Sequence, residues 1–415
     1  MVSKSSAVAK AFLPVDEYLN HYANRGLASG VSVCITHKNT IIHRHSAGLR
    51  NIEKNLPMTT DTVCRCYSMA KAVTALAVLQ LCDRDLLSLE DPIERFIPEL
   101  KDREVWTCLA DETIHRQPAN HPMTIRELLT HSAGFGHGIG QRSIAANKVE
   151  QIYSKSHLQS DIVPLVPRGK GSKTLDEFIK KLAALPLRFQ PGTEIQYSVS
   201  YDVLARLIEQ VSGTRIDQYF TDNIFRPLGM NDSSLVLKDH QIDRFSEIYT
   251  QDSEHRLVPI DEASEFGYSP KQTFFGGSGQ MLSTADDWSR FAMMLCAGGE
   301  LDGVRLISKD LLENMCTHVN EEPPKKAVCI GGTERGHRVG YGVMVLNNLE
   351  EAAPRHEAHI GEYWWAGGAH TYFWVCPQRK LTITIMMQLW LSQCSIREDI
   401  KPLVIDAMKA IALIN

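Results

Sequence analysis

Strand-like patterns gather at the two ends of this chain and helical patterns fill its middle. That arrangement predicts an α/β (α+β) protein: an antiparallel sheet flanked by helices, built from both termini, with a mainly helical lobe inserted between them. Three observations carry the expectation. Residues 31–36 and 40–45 read as a hairpin turning at Lys38-Asn39, residues 341–346, 371–376 and 381–388 read as strands, and apolar residues between these groups recur at helical spacing. A chain of 415 residues also exceeds the size at which one core stops growing. The expected division is an α/β lobe of residues 1–70 with 271–415 and a helical lobe of residues 71–270.

Taken in order, the first element is an amphipathic stretch marked by Val15, Leu19, Tyr22 and Leu27. In the hairpin, His43 and His45 share a strand face; no third ligand accompanies them, so they read as ordinary strand histidines. Ser68-Met69-Ala70-Lys71 then runs into Ala72-Val73-Thr74-Ala75-Leu76-Ala77-Val78-Leu79, which has no polar side broad enough to face water. The spacing places Ser68 and Lys71 on one face of a helix buried all round. Asp91-Pro92 opens a further segment. Thr124-Ile125-Arg126-Glu127 has capping-box form, with Gly134 and Gly136 as its stop. Residues 137–173 lack a period and read as a long loop.

Residues 174–185 look helical, and Gln190-Pro191-Gly192-Thr193 is a turn. Beyond it Val203, Leu204, Leu207, Ile208 and Val211 form a helical stripe, with Ser200 as N-cap and Gly213 as stop. Tyr197 therefore lies on the link leading into that helix. Another helix runs from about Ser283 through Trp288, Phe291, Ala292 and Leu295 to Gly298-Gly299. In the last strand Leu381, Ile383 and Ile385 alternate with Thr382 and Thr384, a half-buried pattern, and Pro402 opens a final helix.

Composition narrows the function. Apolar content of 43%, charged content of 22% and a net charge of -5 describe a globular protein without the basic excess that nucleic acid requires. No apolar segment is long enough to span a bilayer, and the N-terminus lacks a signal-peptide core, so no membrane partner and a cytoplasmic location are expected. Ten cysteines without a Cys-x-x-Cys fit reduced thiols rather than a metal site.

The chemistry concentrates at Ser68. A serine hydroxyl is a weak nucleophile until a base takes its proton, and burial pushes a lysine toward the neutral amine that can do so. A nearby tyrosine can share the transfer. Alone, a Ser-x-x-Lys is close to chance frequency; its company gives it weight. Thr124–Phe135, Pro191-Gly192-Thr193 with Tyr197-Ser198, Phe225-Arg226-Pro227-Leu228-Gly229-Met230, Gly276-Gly277-Ser278-Gly279 leading to Ser283-Thr284-Ala285-Asp286, and Trp365-Ala366-Gly367-Gly368 follow in order.

Together these segments resemble the serine β-lactamase and penicillin-binding-protein superfamily, within it the esterase and acyltransferase branch. The resemblance implies acylation of Ser68, proton transfers shared by Lys71 and Tyr197, and an oxyanion hole from the backbone N–H groups of Ser68 and Gly368. It also implies substrate contacts at Trp365 and Gly367, no cofactor or metal, and small-molecule partners; His370, two residues past Gly368 on the same strand, is a further substrate-binding candidate that would face either the pocket or the helix layer. The donor would be an ester or a thioester, including one borne on a carrier, and the acceptor an alcohol or water.

Two departures shape the substrate expectation. Val199 stands where the superfamily often has asparagine, and Trp365 stands where β-lactamases and penicillin-binding proteins carry a lysine that binds a substrate carboxylate. Both losses favour an apolar acyl group over a β-lactam or D-alanyl peptide, which remains the alternative; an inactive binding protein is a third reading. Trp364 and Trp365 suit either an acyl pocket or plain packing, and His131 suits a loop hydrogen bond. His356-Glu357-Ala358-His359 reads as a surface loop. Ser278 lacks the Gly-x-Ser-x-Gly spacing of a nucleophile elbow.

Overall fold

The computed structural model describes residues 4–109, 111, 113–137, 148–158, 170–261, 268–317, 327–328, 336–352, 358–390, 392 and 394–414. Its centre is an eight-stranded antiparallel sheet drawn from both ends of the chain. The strands are β1 (Gly30–His37), β2 (Thr40–Asn51), β3 (Leu56–Pro57), β4 (His337–Val339), β5 (Met344–Leu346), β6 (Tyr363–Ala366), β7 (Tyr372–Cys376) and β8 (Leu381–Met387). They lie in the order β4-β5-β6-β7-β8-β1-β2-β3, so the early hairpin and the late meander meet where β1 pairs with β8.

Helices cover both faces. The N-terminal helix Lys4–Asn24 and the C-terminal helix Ile396–Ala410 bury Phe12, Val15, Leu19, Ile400, Val404 and Met408 against Val31, Val33, Ile383 and Ile385. Each such aliphatic or aromatic side chain contributes about 1.5–3 kcal/mol on full burial. The helix Ala285–Cys296 packs Trp288, Phe291 and Ala292 beneath the opposite face, against Phe373, Val375 and Met386.

Covering both faces changes the reading of the last strand. Thr382 and Thr384 are as buried as Ile383 and Ile385, with which they alternate, and Thr36 and Thr382 bring their hydroxyls to 2.6 Å. Alternation there separates two buried environments rather than core from water. The final helix begins at Ile396, six residues before Pro402, which lies inside it; the apolar stripe packed on the sheet outweighs the backbone hydrogen bond that proline removes. Leu27 falls beyond the first helix and is 40% exposed, and Phe12 occupies the inner face.

Other boundaries shift by small steps with identifiable causes. Helix Ser200–Ser212 starts at Ser200 itself, with Val199 as N-cap and no side-chain cap bond, and ends at Gly213 in the left-handed region. The capping box of Thr124 and Glu127 is formed, but helix Ile125–Leu129 stops at Thr130, because His131 takes a φ of +58° before Gly134 is reached. Residues 341–343 bend rather than extend. A Cβ on Gly342 would come within 2.7 Å of the Lys71 carbonyl, so the chain there wraps the start of the helix that follows Ser68. Within residues 137–173 a helix spans Lys148–Lys155; His356 and Glu357 lie outside the described residues.

Candidate active site

Ser68 sits in a 3-10 turn, Tyr67–Met69, that runs directly into helix Ala70–Asp83. Every residue of that helix from Ala70 to Leu81 is buried, as its apolar run demands. Tyr67 is held at a φ of +47°, a left-handed conformation that costs a non-glycine residue on the order of 1 kcal/mol. Ser68 is half-buried, and Lys71 is 2% exposed.

Tyr197 enters from the three-residue link between strand Ile195–Gln196 and helix Ser200–Ser212. Its hydroxyl lies 2.6 Å from Ser68 Oγ, and Lys71 Nζ donates to the same Oγ at 3.2 Å. Lys71 Nζ also lies 4.6 Å from the centre of the Tyr197 ring and donates to the Ser278 carbonyl at 2.5 Å. Burial of the ammonium brings the Lys71 pKa down to about 7, with Asp202 opposing the shift. Lysine at that pKa is divided between acid and base near neutral pH, as proton transfer to and from Ser68 requires.

The loop after Thr130 supports the tyrosine. His131 Nδ1 accepts from the Ser198 N–H at 3.2 Å, which places its proton on Nε2, and its ring lies 4.7 Å from Tyr197 and 5.0 Å from Tyr201. Burial, with the Lys71 charge second, holds the His131 pKa well below its usual value. The Gln196 N–H donates to the His131 carbonyl and the Val199 N–H to the Gly136 carbonyl, so the left-handed turn at His131 fixes both sides of Tyr197.

The sheet closes the third side. Trp365 on β6 is 7% exposed and stacks on Tyr197, with ring centres 6.1 Å apart and planes 24° from parallel. Gly367 and Gly368 do not continue that strand. They begin the tight turn to β7, in which the Gly367 N–H donates to the Thr371 carbonyl. Thr371 Oγ1 donates to the Cys66 carbonyl at 2.9 Å and ties this turn to the backbone just before Ser68. The Gly368 N–H has no acceptor among the described residues, and the Ser68 N–H lies in a first turn, where helical amides lack partners. The indole of Trp390 spans the two, 4.6 Å from the Tyr67 ring and close enough to Gly368 that a Cβ there would meet it at 2.7 Å.

Ser68, Lys71, Tyr197, Trp365, Gly367 and Gly368 are thus brought together from segments far apart in the chain. His370 is not on the strand with Gly368: it ends the turn at a φ of +58°, and its ring bonds the Ser392 carbonyl at 3.0 Å. Burial, reinforced by Arg397, takes its pKa to about 4. The Ser392 hydroxyl lies 3.3 Å from the same ring nitrogen, Nε2. Among the described residues no group of three or more His, Cys, Asp or Glu is placed to hold a metal. His43 and His45 instead face Asp16 of the N-terminal helix, at 2.7 and 3.4 Å.

Two residues of this site escape sequence reasoning. Asp202 and Ser278 lie behind Lys71, bonded to each other and far apart in the chain. The available signals were an acid beside the apolar stripe of a helix and a cluster of glycines in residues 276–279, which implies a close backbone approach.

Comparison with known proteins places the chain in a family. Residues 15–398 match the family described as Beta-lactamase. The esterase EstB of Burkholderia gladioli is 28% identical over 379 residues, covering 88% of this chain and 86% of its own. Lovastatin esterase of Penicillium rubens is 28% identical over 385 residues, covering 86% and 87%. In fold, EstCE1, a hydrolase with promiscuous acyltransferase activity, matches at a TM-score of 0.73 and 22% identity over 98% of this chain and 99% of its own. Unliganded simvastatin synthase (LovD) from Aspergillus terreus matches at 0.75 and 20% identity, over 97% and 99%. A match spanning most of the chain, with esterases and acyltransferases among the relatives, makes this protein a serine hydrolase/acyltransferase that belongs to the Beta-lactamase family.

Proposed function

We propose that the protein moves an acyl group from an ester or thioester to an alcohol or water through an acyl-Ser68 intermediate. The observation that carries this reading is the shared contact at Ser68 Oγ, with the Tyr197 hydroxyl at 2.6 Å and Lys71 Nζ at 3.2 Å. Ser68 Oγ attacks the acyl carbonyl carbon while its proton passes to the Lys71–Tyr197 pair. The oxyanion forms against the N–H groups of Ser68 and Gly368, each such donor supporting about 3 kcal/mol of barrier reduction. Collapse breaks the bond to the alcohol or thiol, which leaves with the proton. A second alcohol or water then gives up a proton to the same pair, attacks the acyl-serine and releases Ser68.

The substrate reading follows from Trp365. It presents an aromatic wall where a carboxylate-binding lysine would stand in a β-lactam site, which suits an uncharged, apolar acyl group. The esterase and acyltransferase names among the relatives support the same class. Labelling with a fluorophosphonate probe tests the nucleophile: wild type should label and Ser68→Ala should not. A short-chain thioester offered with an alcohol separates transfer from hydrolysis. Turnover of a chromogenic cephalosporin at rates matching ester cleavage would instead favour a β-lactamase.

A further inference from the structure

We infer that Asp202 is a positioning residue for this reaction: its buried carboxylate anchors the loop of residues 276–279 so that the Ser278 carbonyl holds Lys71 Nζ against Ser68. The inference rests on the proposed role of Lys71 as the proton-transferring amine.

The contacts form a continuous chain. Asp202, 1% exposed near the start of helix Ser200–Ser212, accepts from the Ser278 N–H at 3.0 Å with Oδ1 and from the Ser278 hydroxyl at 2.8 Å with Oδ2. The carbonyl of that same Ser278 receives Lys71 Nζ. From the other side Thr74, one turn beyond Lys71, donates its hydroxyl to the Gly277 carbonyl at 2.7 Å. The glycines permit this clamp: a Cβ on Gly276 would come within 2.7 Å of Asp202 Oδ1, and one on Gly277 within 2.4 Å of the Tyr201 carbonyl. Burial pushes the Asp202 pKa up, and the Ser278 donors and the nearby Lys71 ammonium act against that shift, so donors on both oxygens favour the carboxylate form.

Charge follows the same path. Lys71 is faced by Ser68 on its own helix side, by the rings of Tyr197 and Tyr201, by His131 across the site and by Asp202. Burial holds Tyr201 and His131 uncharged near neutral pH. Asp202 is then the charged group, among the described residues, that acts on the Lys71 ammonium, and it favours the protonated form. A purely architectural acid would leave the titration of the reaction unmoved; this one sets it.

The test is the pH dependence of kcat/KM for a short-chain ester with Asp202→Asn, which keeps the shape and the Oδ1 acceptor but removes the charge. The expected result is an acid limb displaced to lower pH by about one unit, with kcat at the plateau reduced and KM nearly unchanged. Should Asp202→Asn fail to fold, Ser278→Ala, which removes one donor to the carboxylate, should lower kcat without raising KM; unchanged kcat in that variant overturns the inference. A wild-type acid limb that Asp202→Asn leaves in place, with kcat intact, overturns the inference alone. A wild type without an acid limb, or Lys71→Ala with wild-type kcat/KM, overturns the reading of Lys71 and the inference with it.

Discussion

Gly367 stands so close to Cys66 that a Cβ added to it would lie 2.2 Å from the Cys66 carbonyl oxygen. The end of β6 and the turn that presents Ser68 are therefore in direct backbone contact, without a side chain between them. Small size at residue 367 is a condition for the sheet and the nucleophile to share one site.

Gly367→Ala should accordingly separate the Gly368 amide from Ser68. Loss of one oxyanion donor corresponds to a fall in kcat of about 10²-fold or more, and overpacking at such a contact costs roughly 1–3 kcal/mol of stability. Ester hydrolysis and a thermal melt on the same preparation read both, and a variant with wild-type kcat would refute the oxyanion role of this turn.

Tyr197→Phe should keep the fold, because the ring contacts with His131, His137 and Trp365 survive loss of the hydroxyl. Proton transfer should not survive: kcat is expected to drop about 10²–10⁴-fold. An unchanged melting temperature beside that loss assigns the effect to chemistry; a variant that retains near-native kcat removes Tyr197 from the mechanism.

Lys71 trades stability for function. Its pKa falls from 10.5 in the unfolded chain to about 7 in the fold, so between those values the unfolded state binds the extra proton. Stability therefore rises with pH from about 7 to about 10.5 on account of this group, and the full cost of the buried ammonium is felt below pH 7. Lys71→Met should be inactive and, near pH 6, more stable by on the order of 3 kcal/mol, with the gap to wild type closing as pH rises. Denaturant unfolding at a series of pH values measures that gap; a gap independent of pH would show that Lys71 is not desolvated as described.

Trp365→Ala should remove the aromatic wall and open space beside Tyr197. Activity toward long or branched acyl esters is expected to rise relative to acetyl or butyryl esters, by about 10-fold or more, even if both fall in absolute terms. A parallel loss across all chain lengths would mean that Trp365 only braces Tyr197.

How much of this was legible beforehand depended on the range of the interaction. The helix after Ser68 shows itself in its own uninterrupted apolar run, and the capping box at Thr124 lies within four residues. The Lys38-Asn39 hairpin is equally local, and so is the placement of Tyr197 on the link into its helix. Periodicity could not reveal that Thr382 and Thr384 are buried, since a second helix layer, formed from residues 285–296, supplies the cover. Nor could spacing from Gly368 show that the chain turns before His370, because the turn is held by Thr371 bonding back to Gly367 and Cys66.

The sequence by itself determined the sheet drawn from both termini and the buried rod behind Ser68, because each follows from local pattern, while Tyr197 and the Trp365-to-Gly368 segment were legible through resemblance to a family's ordered motifs. Tertiary structure alone decided how those groups act. The lowered pKa of Lys71 is a consequence of burial by segments distant in the chain, and its alignment depends on a carbonyl at Ser278 that Asp202 holds in place. Ser68 and Lys71 are neighbours by helical geometry; Tyr197, Asp202 and Gly367 become their neighbours only when the packed core leaves the chain no other arrangement.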